Sequence, residues 1–115
     1  MTQRDHDRRV DYIEFTSTDL EATKRFYTDV FGWAFTDYGP DYTSFVDGRL
    51  AGGFARGAAG GGSPLVVLYA ADLDATRAAV EAWGVATFND HRFPGGRRFH
   101  LRDPGGNELA VWSER

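Results

Sequence analysis

The chain contains no cysteine, so it can form no disulfide and offers no thiolate to a metal; any bound ion would need His, Asp or Glu. That absence also fits a reducing, cytoplasmic setting. Basic runs are equally scarce: Arg8-Arg9 and Arg97-Arg98 are the longest, and the net charge is −4. This leaves no electrostatic footprint for nucleic acid. No apolar stretch approaches the ~20 residues of a membrane-spanning helix. The opening segment, Met1 to Arg9, is polar throughout and reads as a loose lead rather than a secretion signal. Ser17, Ser44, Ser63 and Ser113 lie in no nucleophile-elbow context, and the run Gly57 to Gly62 lacks the lysine of a phosphate loop.

What is present is aromatic and glycine-rich. Aromatic residues make up 15% of the 115 positions, and 14 glycines in so short a chain point to many turns between short strands. The length suits one domain with one core.

The sequence also repeats itself. Asp19-Leu20-Glu21-Ala22-Thr23-Lys24 recurs as Asp72-Leu73-Asp74-Ala75-Thr76-Arg77, and a helix-length segment follows each copy, ending at Gly32 and Gly84. A β-favouring run precedes each copy, Val10 to Thr16 and Leu65 to Tyr69. Thr18 and Glu21 stand at capping-box spacing, which predicts a first helix with Leu20, Tyr27, Val30 and Phe31 on one face. The second helix is expected to start at Asp72, to carry Leu73, Val80 and Trp83 on one face, and to stop at Gly84.

Three strand candidates follow each helix: 33–38, 42–46 and 49–56, then 85–89, 97–102 and 108–112. Turn chemistry separates them at Gly39-Pro40-Asp41, Asp47-Gly48, Pro94-Gly95-Gly96 and Asp103-Pro104-Gly105-Gly106-Asn107. The expected organisation is a single α+β domain over 1–115. It comprises a βαβββ module at 10–56, a glycine-rich linker at 57–63 and a second βαβββ module at 64–113.

Phe26-Tyr27 and Val30-Phe31-Gly32-Trp33 after the first Asp-Leu-Glu, taken with the Asp-Pro-Gly-Gly-Asn-Glu turn at 103–108, resemble small vicinal-oxygen-chelate proteins. This is the glyoxalase/bleomycin resistance/dioxygenase superfamily. The resemblance implies paired βαβββ modules curved into a half-open barrel around a concave pocket, often completed by homodimerisation. Because that fold hosts lyases, isomerases, dioxygenases and plain binding proteins, it does not fix a reaction.

Metal-dependent members hold a divalent ion on the first and last strands of each module. The corresponding positions are Tyr12, Leu65, Ala110 and Gly53 or Phe54, none a usual ligand. No cofactor is therefore expected, and a divalent ion only through a shifted site around Glu14 and His100. The resemblance turns Tyr12, Leu65 and Ala110 toward the concavity; strand alternation then adds Glu14, Tyr69 and Trp112, and the family's hairpin register adds Arg98 and His100.

Tyr12, Glu14, Tyr69, Arg98, His100 and Trp112 are the candidate ligand-binding set, with Glu14 and His100 the candidate acid-base pair. The leading expectation is a metal-free small-molecule binding protein, the acidic net charge favouring a cationic ligand such as a bleomycin-type antibiotic. The alternatives are a lyase, isomerase or dioxygenase, and a structural dimer whose pocket is filled.

Overall fold

The computed structural model describes residues 3–58, 64–104 and 106–114. The expected linker lies outside the described residues from position 59 to 63, as does Gly105 of the last turn. The chain divides into two compact units, Tyr12–Leu65 and Met1–Asp11 with Val66–Arg115.

The first half contains β1 (Arg9–Ser17), α1 (Leu20–Phe31), β2 (Ala34–Asp37), β3 (Tyr42–Val46) and β4 (Ala51–Arg56). The second contains β5 (Leu65–Tyr69), α2 (Leu73–Ala82), β6 (Thr87–Phe93), β7 (Gly96–Arg102) and β8 (Glu108–Ser113). Both halves are wired alike. β1 lies parallel to β4, which pairs antiparallel with β3, and β3 with β2. In the same way β5 lies parallel to β8, followed by β7 and β6. The repeat is thus the α+β fold of two βαβββ modules, and among the described residues no helix is long and apolar enough to cross a membrane.

The repeated Asp-Leu motif has one physical job. Asp19 and Asp72 are the N-caps, each accepting from the backbone N–H three residues on at 3.0 Å, Ala22 and Ala75 respectively. The capping residue of α1 is therefore Asp19 and not Thr18, because only the side chain at position 19 reaches the free N–H groups. Replacing either aspartate with alanine should cost about 1 kcal/mol, read from denaturant midpoints. Gly32 closes α1 in the left-handed region (φ 74°), its N–H donating to Thr28 O at 3.0 Å while Trp33 N–H reaches Tyr27 O at 3.2 Å. α2 ends at Ala82, and its C-cap is Trp83, one residue before the expected glycine, with Gly84 beyond it at φ 99°.

One face of each sheet packs under its helix. In the first unit Leu20, Phe45 and Phe54 are buried with Phe15, Tyr27, Trp33 and Phe35 around them. The indole of Trp33 is sandwiched between Tyr27 and Phe45, with centroids at 4.5 and 4.3 Å. In the second unit the core is Ala70, Leu73, Phe99, Leu101 and Val111.

The expected helix faces need correction. Val30, Phe31 and Trp83 are exposed, at 60%, 58% and 74%, because each helix meets its sheet through its first turn and inner residues while these positions rotate outward. The N-terminal lead is also not loose. Gln3–His6 forms a 3-10 turn, Asp7 accepts from Ala71 N–H at 2.7 Å, and Arg8 N–H donates to Tyr69 O at 2.6 Å.

Candidate functional site

The face of each sheet turned away from its helix carries the candidate residues, and they form two groups, one in each unit. In the first unit the strand registers place Tyr12 and Glu14 on that face, with Gly53 opposite Glu14 and Ser44 opposite Gly53. Tyr42 joins them from β3. Its hydroxyl lies 2.6 Å from that of Tyr12 and donates to Glu14 Oε2 at 3.2 Å. Since a carboxylate only accepts, the proton order is Tyr12 to Tyr42 to Glu14. Burial is the main reason the Tyr42 phenol is held well above its ordinary pKa of 10.0, and the bond to Tyr12 and the Glu14 charge add to it.

The two phenols meet over Gly53. A Cβ there would stand 2.0 Å from the Tyr42 hydroxyl and 2.6 Å from that of Tyr12, so glycine is what admits them.

In the second unit Tyr69, Trp112 and Arg98 are cross-strand neighbours in sequence β5, β8, β7, and His100 stands opposite Ala110. Tyr69 is fully buried and donates its hydroxyl to Glu114, which together with burial pushes the phenol up to about 12. It packs edge-on against Trp112 at 5.3 Å, and the Trp112 indole N–H donates to Asp11 Oδ2 at 3.0 Å. These bonds fix the indole in place.

His100 is 4% exposed. Its Nδ1 lies 2.9 Å from Glu108 Oε2, and Arg102 holds the other carboxylate oxygen at 3.4 Å. A carboxylate cannot donate, so Nδ1 carries the proton and Nε2 presents a lone pair. Nε2 is buried and has no hydrogen-bond partner among the described residues. The Phe88 ring lies 5.8 Å away and the His91 ring 6.1 Å away.

The His100 pKa is lowered from 6.5, chiefly by burial and further by the charges of Arg98 and His91, against the opposing bond to Glu108. The neutral ring is therefore the folded-state form. Its contribution to stability is complete above pH 6.5 and is lost as pH falls through the lowered value. Thermal melts taken from about pH 7 to about pH 5 should fall more steeply for the native chain than for His100→Phe.

His91 lies between the strand candidates 85–89 and 97–102 and belongs to neither. β6 runs on through it to Phe93, and its pairing with β7 shifts between Phe88 and His91: Phe88 faces His100, and His91 faces Arg98. Three steps along β6 thus match two along β7, a β-bulge, with Asn89 at φ 52°. Without the extra residue His91 would point to the helix side. An Asn before a polar residue, a type that tolerates positive φ, was the available signal. For Tyr42 the signal was Gly52-Gly53 inside a strand, a mark of close approach.

A family model described as the Glyoxalase/Bleomycin resistance protein/Dioxygenase superfamily matches residues 9–111. The chain belongs to this superfamily. Solved structures with the same fold include methylmalonyl-CoA epimerase from Mycobacterium tuberculosis, at 16% identity and TM-score 0.71, covering 90% of this chain and 86% of that one. A superfamily member from Vibrio splendidus 12B01 aligns at 15% identity and TM-score 0.72, covering 91% and 97%. The Mn(II)-bound glyoxalase from Novosphingobium aromaticivorans aligns at 24% identity and TM-score 0.69, over 95% of this chain but 40% of its own. At these identities the likeness concerns the fold. No curated protein matches by sequence.

The superfamily's metal positions do not fit an ion in this member. Leu65 and Ala110 are buried and offer no donor atom, Gly53 has no side chain, and Phe54 packs into the core under α1. Tyr12 is engaged with Tyr42, whose phenol is held protonated. Among the described residues no three His, Asp or Glu side chains gather as a metal cage would require.

Proposed function

We propose that this superfamily member binds a small, partly aromatic organic molecule on the face of the β5-β8-β7-β6 sheet turned away from α2, with His100 as the orienting group. The observation that carries this reading is the buried Nε2 of His100, without a hydrogen-bond partner among the described residues, beside the Phe88 ring. A buried acceptor left unpaired costs about 1–3 kcal/mol, a cost that a ligand's N–H or O–H would remove. Small-molecule sites commonly combine apolar walls with a few such polar groups.

Local charge also revises the ligand expected from composition. The net charge of −4 is spread over the whole chain, whereas His100 has the Arg98 charge beside it and its neighbouring carboxylate, Glu108, is already bonded to Arg102. A cationic ligand is disfavoured there.

The test is a thermal-shift and NMR screen of neutral, anionic and cationic aromatics. Binders that perturb the His100 imidazole and the Trp112 indole support the reading, and an inventory of binders that moves neither ring removes it.

A second reading is favoured by the Glu108–His100 pair itself. A carboxylate holding Nδ1–H leaves Nε2 placed as a general base, the arrangement an isomerase or lyase requires. Solvent-deuterium exchange into a bound carbon acid, lost in His100→Phe, would support this enzyme role.

A further inference from the structure

The bulge in β6 does more than widen the strand: it sets a second imidazole beside His100. His91 Nδ1 lies 2.8 Å from the Asn89 carbonyl oxygen. A carbonyl can only accept, so this Nδ1 also carries the proton. As neutral rings both are therefore the same tautomer, each presenting an Nε2 lone pair.

Two acceptors cannot bond to each other. Whatever satisfies them must bring donors of its own. Their ring centroids are 6.1 Å apart at an interplanar angle of 36°, a separation wider than that of two adjacent hydroxyls on one ring. His91 is half-buried and Phe88 is 37% exposed, whereas His100 is 4% exposed, so the His91 end of the pair, on β6, is the end open to solvent.

The surroundings narrow the donor's chemistry. Arg98 stands opposite His91 in the ladder, and the Arg102 guanidinium lies 5.7 Å from the Phe88 ring centroid. Glu108 already spends one carboxylate oxygen on His100 and the other on Arg102, so it offers an ammonium donor little. An anion stripped of its protons would confront two lone pairs. A neutral hydroxyl-bearing aromatic satisfies both conditions, and Phe88 supplies an apolar flank.

Building on the binding reading above, we propose that His91 and His100 form a paired acceptor site for a neutral aromatic carrying two hydroxyl donors on non-adjacent ring positions. The site is assembled by the bulge at Asn89. No bond is made or broken in this step; two O–H groups donate to two imidazole nitrogens.

The experiment is calorimetric titration of the full chain with resorcinol and, separately, with 1,3-dimethoxybenzene, which has the same ring and no donor. Resorcinol should bind tighter by on the order of tenfold or more, because the ether leaves both nitrogens unpaired. His91→Phe and His100→Phe should each abolish most of that difference.

The native chain supplies a readout that is independent of these variants folding. Resorcinol affinity should fall on the acid side as His100 protonates, and on the alkaline side as the hydroxyls ionise, near the phenol value of about 10. Equal binding of resorcinol and its ether, sensitive to Trp112→Ala, would overturn the paired-acceptor site while leaving aromatic binding intact. Absence of binding by both, together with failure of the wider aromatic screen, would overturn the two readings together. Affinity independent of pH across the His100 titration would overturn the acceptor role by itself.

Discussion

Replacing Phe99 with alanine should lower the unfolding free energy by about 3–5 kcal/mol. Phe99 is fully buried at the centre of the second unit's core, among Ala70, Leu73, Leu101 and Val111. It comes from the middle of β7, so its ring fills the space between sheet and α2, and its neighbours Leu73, Leu101 and Val111, held in helix and strands, cannot collapse into the gap. A chain of this size holds only about 5–15 kcal/mol in total, so the loss takes a large share of it. Urea unfolding followed by circular dichroism reads the effect as a lower midpoint at unchanged slope. A change under about 1 kcal/mol would mean that α2 closes over the void, against the packing described.

The second large effect is expected at Gly52. A Cβ there would lie 2.3 Å from the Ile13 carbonyl oxygen and 2.3 Å from Phe45 Cζ. The carbonyl belongs to β1, which pairs with β4 through this stretch, so it cannot retreat without opening the ladder. Overpacking of this kind costs about 1–3 kcal/mol and sometimes more. For a domain near this size that is a drop in Tm of roughly 4–8 °C for each kcal/mol. Gly53→Ala should cost less, because its obstacles are the ends of two tyrosine side chains that can swing aside.

The repeat was legible because it rests on local chemistry. An aspartate that caps a helix and a glycine that ends one act through bonds within three or four residues, and these place α1 and α2 within a residue of their expected starts. Once the resemblance had fixed Tyr12 and Ala110, the alternation of side chains put Glu14 on the face of Tyr12 and Trp112 on the face of Ala110, since period two follows from the pleat, and the strand registers agree.

What was not legible depends on partners distant in the chain. His91 reaches its face only because β6 carries one residue more than β7 can match, and alternation alone places it on the other side. Glu108 acquires its meaning from His100 eight residues away, through a side-chain bond that no local spacing announces. Val30, Phe31 and Trp83 follow helical periodicity, yet the sheet they were expected to cover is already covered by Leu20, Tyr27 and Leu73. The polar lead escaped for a similar reason: Asp7 and Gln3 are ordinary surface residues until Ala71 and Asp11 supply their partners.

The adjacent glycines of β4 leave the first sheet with bare backbone on both sides at one point. From below, the Phe45 ring reaches the peptide plane at Gly52; from above, the Tyr42 and Tyr12 hydroxyls reach it at Gly53. Elsewhere a layer of Cβ atoms cushions one face of a sheet from events on the other. Here that layer is missing, so core packing and the phenol chain share one thin partition. A substitution that moves Phe45 would be felt as a change in how Tyr42 addresses Glu14, and the two faces are therefore constrained to change together.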